Sequence, residues 1–316
     1  LTGGTGFMGT WLLYTFLIIN SKGFNLHVTV LSRNPEKFLK NHKIFENLSW
    51  LQFIKGDVKT FAFYNKTFDF LIHAAADTAR SAHEDYRNMF YNILNGTERV
   101  CNFVKECKVN RALFISSGAV YGSQPNDIDL QPDNSALACN PLKAINAYGE
   151  GKRVMELLGS ILEKETGIEF ITARCFSFCG PGLPLRGHYA FGNFINDAVF
   201  NDVITVKGDG LPLRSYLFGS DLAIWILNIL IKGKTGTSYN VGSNEAISMK
   251  DLALKIQQLI APQKKIKILK NLDNSGDPRS RYVPQTQRSL EIGCRIWTSL
   301  EQAIIRTADY SSKFEI

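Results

Sequence analysis

The chain lacks the residue pairs that build common metal and redox sites. It contains no Cys-x-x-Cys pair and no His-x-x-x-His pair, and its 6 cysteines follow no regular spacing. These absences favour a reduced, cytoplasmic protein without a metal. The cysteines are Cys101, Cys107, Cys139, Cys175, Cys179 and Cys294.

Long apolar runs and concentrated charge are scarce as well. The most apolar stretch, residues 11–19, is shorter than the roughly 20 residues that span a bilayer, and no signal peptide is recognisable. Lys and Arg give a net charge of +7 but are spread along the chain rather than gathered in one basic run. We therefore expect a soluble protein with neither a membrane nor a nucleic-acid partner. A polyanionic small molecule would suit the charge equally well.

What the sequence does contain is a glycine-rich turn at its start. Residues 3–9, Gly-Gly-Thr-Gly-Phe-Met-Gly, satisfy both Gly-x-Gly-x-x-Gly and Gly-x-x-Gly-x-x-Gly and lead into a helical pattern. Glycines there let the backbone approach a pyrophosphate, which rests on the helix N-terminus where N–H groups and the macrodipole favour negative charge. The predicted dinucleotide-binding residues of this turn are Gly3, Gly6, Phe7, Met8 and Gly9.

Short β-rich runs then alternate with longer helical stretches. The strand that should precede the glycine turn is inferred to lie upstream of it, because only Leu1 and Thr2 stand there. Alternation of this kind predicts an α/β fold of Rossmann type, with a doubly wound parallel sheet. The other predicted strands of this half are residues 26–31, 50–54, 69–74 and 112–116.

A chain of 316 residues leaves room for a second, smaller domain. We predict that residues 1–173 plus about 215–242 form a dinucleotide-binding domain. Residues from about 174–214 plus 243–316 are then predicted to form a smaller mixed α/β substrate domain.

Two local patterns mark the second half. The segment Lys-Gly-Asp-Gly at 207–210 lies between two runs of alternating hydrophobicity and predicts a β-hairpin. Residues 220–232 form a strongly apolar helical pattern, which predicts a helix that returns to pack on the first domain.

The residues after the first predicted strand bear on the cofactor. Ser32 and Arg33 stand where an NAD-preferring fold usually has an acidic residue for the ribose 2′-hydroxyl. A guanidinium there can bind a 2′-phosphate through two hydrogen bonds. The alternative is that Asn34 and Pro35 merely begin the next helix and Arg33 is a solvated charge. Because an acidic residue is absent and a basic one present, the sequence favours NADP(H), with NAD(H) as the alternative.

Tyr148 and Lys152 stand four residues apart, so on a helix they share a face. A free tyrosine has a pKa of about 10, and a nearby ammonium is expected to lower it toward the range where the phenol exchanges protons with a carbinol or carbonyl oxygen. Such a pair also occurs by chance on exposed helices. Here Ser116 and Ser117 end a predicted strand upstream, and strand ends are where open α/β sheets hold ligands.

Further motifs accompany these residues along the chain. They are the glycine turn, Gly56-Asp57-Val58, His73-Ala74-Ala75-Ala76, Asn92 near Gly96-Thr97, Ser116-Ser117-Gly118-Ala119-Val120-Tyr121-Gly122, the Tyr148/Lys152 pair, Arg174 ahead of Gly180-Pro181, and Arg214-Ser215-Tyr216 leading to Asp221. This set resembles the extended short-chain dehydrogenase/reductase family, which includes nucleotide-sugar epimerases, dehydratases and reductases. The resemblance runs nearly end to end, and the combined motifs are highly specific. It implies a nicotinamide cofactor, a nucleoside-diphosphate sugar as substrate, and a role in deoxysugar biosynthesis.

The resemblance also assigns roles to individual residues. It implies that Ser117 polarises the substrate oxygen, that Tyr148 is the acid/base, and that Lys152 binds both the tyrosine and the nicotinamide ribose. Members of the family form a homodimer through the helices that here bear Gly96 and Tyr148.

The cofactor residues implied by the resemblance lie in three parts of the chain. Asp57 and Val58 should line the adenine, and the backbone at 74–76 should line the cofactor ribose and phosphates. Asn92 is a weaker assignment, because the family's asparagine usually stands at the position of Ile93.

Substrate residues are implied in the second half. Arg214 follows the 207–210 turn at the position where family members direct an arginine to the substrate pyrophosphate. Arg279 and Arg281 are further candidates, because the arginine usually found just before Gly-Asp is replaced by Asn274. Two more candidates are Ser177, which stands where many epimerases carry a phosphate-binding asparagine, and Asn193, within a segment that resembles bacterial 4-keto-6-deoxyglucose nucleotide reductases.

The residues after Ser117 narrow the reaction. Family 4,6-dehydratases place an Asp-Glu pair there, decarboxylases carry a glutamate in this stretch, and enzymes that epimerise beside the ketone use a cysteine at the second position. Gly118 and Ala119 supply none of these groups, although His188 could still act as an acid. Direct hydride transfer at one carbon remains.

Two enzymes share that machinery: an NADPH-consuming reductase of a 4-keto-6-deoxyhexose nucleotide, and a 4-epimerase that keeps its NAD bound. Arg33 and Ser177 favour the reductase. A catalytically silent dinucleotide sensor is a third hypothesis, which the intact Ser117, Tyr148 and Lys152 disfavour.

Overall fold

The computed structural model describes residues 1–63, 66–76, 85–187, 189–269 and 280–314. The strands in chain order are β1 (Val28–Ser32), β2 (Leu51–Lys55), β3 (Phe70–His73), β4 (Arg111–Ser117), β5 (Glu169–Cys175), β6 (Phe178–Cys179), β7 (Val203–Val206), β8 (Leu213–Arg214), β9 (Leu217–Phe218), β10 (Thr237–Val241), β11 (Ile247–Ser248), β12 (Lys265–Ile268) and β13 (Arg281–Tyr282). The helices are α1 (Phe7–Ser21), α2 (Pro35–Asn41), α3 (Tyr86–Glu106), α4 (Ala147–Thr166), α5 (Ala190–Phe200), α6 (Gly219–Lys232), α7 (Met249–Ile260), α8 (Gln287–Glu291) and α9 (Leu300–Lys313).

The central sheet is parallel. β1 pairs with β2, and β3, β4, β5 and β10 are neighbours in that order, each pair in parallel register. Thr2 joins the two groups through parallel bridges to Leu31 on one side and His73 on the other. The residues that immediately precede the glycine turn therefore lie in the sheet between β1 and β3. This is the place where we inferred a strand from the sequence.

Helices cover both faces of this sheet. Successive residues of β4 point to opposite sides: Leu113 is buried with side chains of α1 and α6, whereas Ala112 and Phe114 are buried with side chains of α3 and α4. Both faces are apolar because each must be shielded from water, which is why the strands read as short hydrophobic runs. The predicted Rossmann-type α/β fold is confirmed.

The helix predicted at 220–232 does return to the first part of the chain. α6 packs on α1, and the two approach closely where Gly219 meets Trp11. A Cβ at Gly219 would lie 2.2 Å from the indole Nε1 of Trp11, so only a glycine fits there.

The remaining elements build smaller sheets around a separate apolar cluster. β8 pairs antiparallel with β11 and parallel with β13, β7 pairs with β12, and β6 pairs with β9. Side chains of α5, α7 and α9 pack with those of β7, with Phe194, Ile204, Ile256 and Ile304 all buried.

The hairpin predicted around 207–210 is wrong. Gly208 and Gly210 do adopt positive φ angles of 91° and 79°, so the chain turns there. The strands on either side, β7 and β8, belong to different sheets. Each pairs with strands further along the chain, β7 with β12 and β8 with β11 and β13.

None of the described helices is long and apolar enough to cross a membrane. All 6 cysteines lie among the described residues, are buried and remain thiols.

Candidate active site

The glycine turn lies directly against the end of β3. Gly3 has a φ of +71°, and a Cβ there would lie 2.6 Å from the carbonyl carbon of Ala74 and 2.7 Å from the amide nitrogen of Ala75. A Cβ at Gly9 would lie 2.4 Å from the Gly3 oxygen. Both positions exclude a side chain, so the turn, the first turn of α1 and the half-buried segment ending at Ala76 form one close-packed unit.

The N-terminus of α1 is suited to a phosphate. Gly6 is its N-cap, no side chain accepts a hydrogen bond from the first turn, and that turn contains no acidic residue. A Cβ at Gly6 would meet nothing nearer than 3.5 Å, so space remains over the helix end. Phe7 and Met8 provide N–H groups in this turn, and such groups together with the macrodipole attract an anion. The residues present therefore fit the pyrophosphate of a dinucleotide.

The end of β1 lies beside the same turn. The hydroxyls of Thr5 and Ser32 are 3.1 Å apart, and Ser32 Oγ also accepts a hydrogen bond from the backbone of Asn34. Asn34 caps α2, so this segment does begin a helix. Arg33 is exposed next to the glycine turn, and among the described residues it forms no ion pair. Arg33 therefore lies beside the turn that fits a dinucleotide phosphate.

The predicted adenine residues are held together by local contacts. The Asp57 carboxylate accepts a hydrogen bond from the backbone of Lys59 at 2.9 Å. Lys59 Nζ donates to the Asn92 amide oxygen at 2.9 Å. Val58 packs on α3, where a Cβ at Gly96 would lie 3.0 Å from its Cγ1. Asn92 is thereby positioned next to Asp57 and Val58, despite its shift from the usual family position.

The three catalytic candidates meet at the carboxyl end of β4. Ser117 is the last residue of β4, and Tyr148 and Lys152 lie one turn apart at the start of α4. Ser117 hydrogen-bonds the Tyr148 phenol, and Lys152 Nζ donates to the carbonyl oxygen of Ile115 at 2.7 Å. Ser117 and Lys152 are 7% and 3% exposed, so both are shielded from water.

The electrostatics differ from the sequence-based expectation. Burial raises the pKa of Tyr148 above its ordinary value, while the hydrogen bond from Ser117 acts in the opposite direction. Burial also lowers the pKa of Lys152 from 10.5 to about 8. The Lys152 ammonium lies 6.0 Å from the Tyr148 ring centroid and does not lower the phenol's pKa as expected. The prediction was wrong because desolvation of the phenol outweighs a cation at this distance.

Two further tyrosines surround this group, and sequence reasoning missed both. Tyr282 in β13 places its hydroxyl 3.3 Å from Ser117 Oγ. Tyr189, the N-cap residue of α5, is near enough that its charge would raise the pKa of Tyr148. No motif marks either residue. Their only signal is an aromatic residue in a segment already suspected of binding substrate.

Of the predicted substrate residues, Arg214 has the most favourable position. It is half-buried in β8, donates to the Leu213 carbonyl at 2.8 Å, and lies in register with Tyr282 of β13. Arg281 also lies in β13, but its guanidinium pairs with Asp129 at 2.7 Å. This ion pair connects Arg281 to the 121–133 loop, so its guanidinium already has a partner there.

The remaining candidates are placed less directly. The Asn193 side chain exchanges two hydrogen bonds with the Gly187 backbone, at 3.2 and 3.0 Å, and so orders the loop before α5. Ser177 is half-buried, and its carbonyl accepts from Leu217 at 3.1 Å. Arg279 and His188 lie outside the described residues. Within the described part of the chain, no three His, Cys, Asp or Glu side chains are grouped as a metal ion would require.

The chain is similar to known proteins along most of its length. The model of the NAD dependent epimerase/dehydratase family matches residues 1–242. The chain is 27% identical to UDP-glucuronic acid decarboxylase 6 of Arabidopsis thaliana over 296 residues, covering 92% of this chain and 82% of that protein. It is 24% identical to dTDP-D-glucose 4,6-dehydratase of Bos taurus over 333 residues, covering 98% and 87%. It is 31% identical to UDP-glucuronic acid decarboxylase 3 of Arabidopsis thaliana, but over 58% of this chain and only 52% of that protein's length.

Solved structures show the same fold. UDP-glucuronic acid 4-epimerase from Bacillus cereus, in complex with NAD, matches with a TM-score of 0.82 at 22% identity, covering 99% of this chain and 97% of that chain. UDP-glucose 4-epimerase from Thermotoga maritima, with UDP-glucose, matches with a TM-score of 0.81 at 18% identity and the same coverage. Because the family model matches well over half of its residues, the chain belongs to the NAD dependent epimerase/dehydratase family.

Proposed function

We propose that this protein reduces a 4-keto-6-deoxyhexose carried by a nucleoside diphosphate, transferring hydride to C4 at the expense of NADPH. The observation that carries the proposal is the environment of Ser117. Ser117 and Tyr148 form a hydroxyl pair able to hold one substrate oxygen, and the next two residues are Gly118 and Ala119. Beside Gly118 lie the ring of Phe176 and the hydroxyl of Tyr282. These two side chains fill the space that a carboxylate at this position would need for dehydration.

The chain's own groups provide the proton chemistry. When bound, the nicotinamide supplies the hydride. The Ser117 hydroxyl donates a hydrogen bond to the ketone oxygen, and Tyr148 donates the proton that this oxygen gains on reduction. Because burial raises the pKa of Tyr148, the phenol is protonated at neutral pH, which is the form a reductase needs. Below about pH 8 Lys152 is an ammonium beneath this pair, where it can bind the nicotinamide ribose.

The choice of NADP(H) rests on Arg33. Its guanidinium is exposed beside the glycine turn and can bind a 2′-phosphate, and the end of β1 has no acidic residue to bind a 2′-hydroxyl. The solved relative from Bacillus cereus was crystallised with NAD, so NAD(H) is the alternative cofactor.

The competing function is an NAD-dependent nucleotide-sugar 4-epimerase, which uses the same Ser117, Tyr148 and Lys152. The two epimerases matched in fold support it. The reductase is favoured because Arg33 suits the 2′-phosphate of NADPH, and because Ser177 stands where many epimerases carry a phosphate-binding asparagine.

A cofactor assay separates these functions. The purified reductase should carry little bound NAD, should oxidise NADPH in proportion to the keto-sugar nucleotide added, and should prefer NADPH to NADH. Bound NAD, interconversion of two 4-hydroxy sugar nucleotides without added cofactor, and no net NADPH oxidation would establish the epimerase instead. A bound dinucleotide with neither activity would indicate a sensor.

Two organisational proposals accompany the function. We propose that the chain divides into two domains, with boundaries at residues 174 and 215 and a third near 243. We also propose a homodimer formed through α3 and α4. These helices pack together and expose apolar side chains, with Tyr91 53%, Leu157 59% and Ile161 42% exposed. Leu157 and Ile161 lie one turn apart and share a face. Sedimentation of the wild type and of Leu157→Glu tests the dimer.

A further inference from the structure

A second phenol lies against the catalytic serine. Tyr282 is 8% exposed, and its ring packs on Phe176 with a centroid separation of 4.5 Å. Its hydroxyl is 3.3 Å from Ser117 Oγ and 3.4 Å from the carbonyl oxygen of Cys175. Tyr282 and Ser117 are 165 residues apart in the sequence and belong to different sheets, so this contact is made only by the folded molecule.

Glycine at position 118 allows this contact. A Cβ there would lie 2.8 Å from the Tyr282 hydroxyl and 2.7 Å from Cζ of Phe176. A carbon atom does not come this close to a heavy atom to which it is not bonded unless one of the two atoms is displaced. Any side chain at 118 would therefore push the phenol away from Ser117.

Hydrogen-bond counting gives the phenol a role. A serine hydroxyl has one proton and two lone pairs. Ser117 Oγ already accepts a hydrogen bond from the Ala119 N–H at 3.1 Å. If Tyr282 donates to the second lone pair, the serine's own proton must point elsewhere, toward Tyr148 and the substrate oxygen. If Tyr282 instead donates to Cys175, the serine proton can turn toward the phenol and away from the substrate.

The strand that carries Tyr282 also connects to the substrate side. Tyr282 of β13 is paired in parallel register with Arg214 of β8. Residues paired in register on neighbouring strands project to the same face of a sheet. The guanidinium proposed to bind the substrate diphosphate and the hydroxyl that reaches Ser117 are thus neighbours on one small sheet.

We propose that Tyr282 is a positioning residue that donates its hydrogen bond to Ser117 and so directs the serine proton to the reacting oxygen of the substrate. The hydrogen bond is independent of the reaction, whereas its kinetic effect rests on the proposed hydride-transfer function.

Melting curves without ligand test the hydrogen bond, using the wild type, Ser117→Ala, Tyr282→Phe and the double variant. Phenylalanine keeps the ring on Phe176 and removes only the hydroxyl. Each single change should lower Tm by about 1–4 °C, and Tyr282→Phe should lower it by less than half as much when Ser117 is already absent. Strictly additive losses would overturn the proposed bond, whether or not the protein turns over any sugar nucleotide.

Steady-state kinetics test the role. With a keto-sugar nucleotide and NADPH, Tyr282→Phe should lower kcat by about 5–20-fold and change KM by less than about 2-fold. In the Ser117→Ala background the same change should cause no further loss. Tyr310→Phe, which also leaves a ring packed on a phenylalanine, is the matched control and should behave as the wild type.

An unchanged kcat in Tyr282→Phe, or an equal loss in both backgrounds, would overturn the positioning role. Absence of turnover in the wild type itself would count against the proposed function, and the melting curves would still decide whether the bond exists.

Discussion

Replacing Lys152 with methionine should make the protein more stable near neutral pH while removing its activity. Lys152 is 3% exposed, and its ammonium contacts the Ile115 carbonyl oxygen at 2.7 Å and the Met155 sulfur at 3.7 Å. Burial lowers its pKa from 10.5 to about 8. At about 1.4 kcal/mol per pH unit, the folded protein holds the charged form at a penalty of about 3 kcal/mol.

Methionine has a similar shape and no charge, so it removes that penalty. It also leaves the Ile115 carbonyl without its donor, which opposes the gain by about 1–2 kcal/mol. The net expectation for Lys152→Met at about pH 7 is a gain of about 1–2 kcal/mol in the free energy of unfolding, or roughly 2–6 °C in Tm.

The pH dependence gives the sharper test. Between about pH 8 and 10.5 the unfolded chain binds more protons on this lysine than the folded chain does. The stability of the wild type must therefore rise with pH relative to Lys152→Met across that window. The advantage of methionine is complete below the folded pKa and is lost above the unfolded one.

Urea denaturation of both proteins at several pH values measures this difference. Lys105→Met on α3 is the matched control, since Lys105 is exposed and pairs with Glu165 at 2.6 Å. It should bring no gain, because the Glu165 carboxylate raises the pKa of Lys105 rather than lowering it. If Lys152→Met is less stable than the wild type by an amount that does not vary with pH, the buried-charge reasoning fails.

Three other substitutions examine separate parts of the site. Tyr148→Phe should lower the rate by roughly 10²–10⁴ with little change in substrate binding, because it removes a positioned proton donor, and turnover near the wild-type rate would disprove its assignment. Arg33→Ala should reduce the preference for NADPH over NADH by about 1–3 kcal/mol, measured as the ratio of kcat/KM values, and an unchanged ratio would place the 2′-phosphate elsewhere. Arg214→Ala should weaken sugar-nucleotide binding by about 2–4 kcal/mol in calorimetry while cofactor binding stays nearly intact, whereas equal loss of both ligands would mean that the arginine supports the fold.

The sequence was sufficient for features encoded in short stretches. The glycine turn, the parallel strands and the i,i+4 pair of Tyr148 and Lys152 depend on local spacing, and the structure has each of them where it was predicted. The position of Arg33 at the end of β1 follows from the same local reasoning.

Features that depend on distant contacts were not predictable in this way. The strands on either side of the 207–210 turn pair with strands far along the chain, so the prediction of a hairpin was wrong. The direction of the Tyr148 pKa shift depends on how completely the assembled core excludes water. Tyr282 reaches Ser117 across 165 residues, and no periodicity in either segment reports that contact.

The crowding at Gly118 constrains the order in which this chain could evolve a different chemistry. An aspartate at 118, as in the dehydratases it resembles, would place a Cβ 2.8 Å from the Tyr282 hydroxyl and 2.7 Å from Phe176. That substitution is harmful while both rings stand there, and it becomes tolerable only after Phe176 and Tyr282 have both moved or become smaller. The first steps toward dehydration therefore include a change in a strand 165 residues from the catalytic serine, where it brings no carboxylate and no immediate gain.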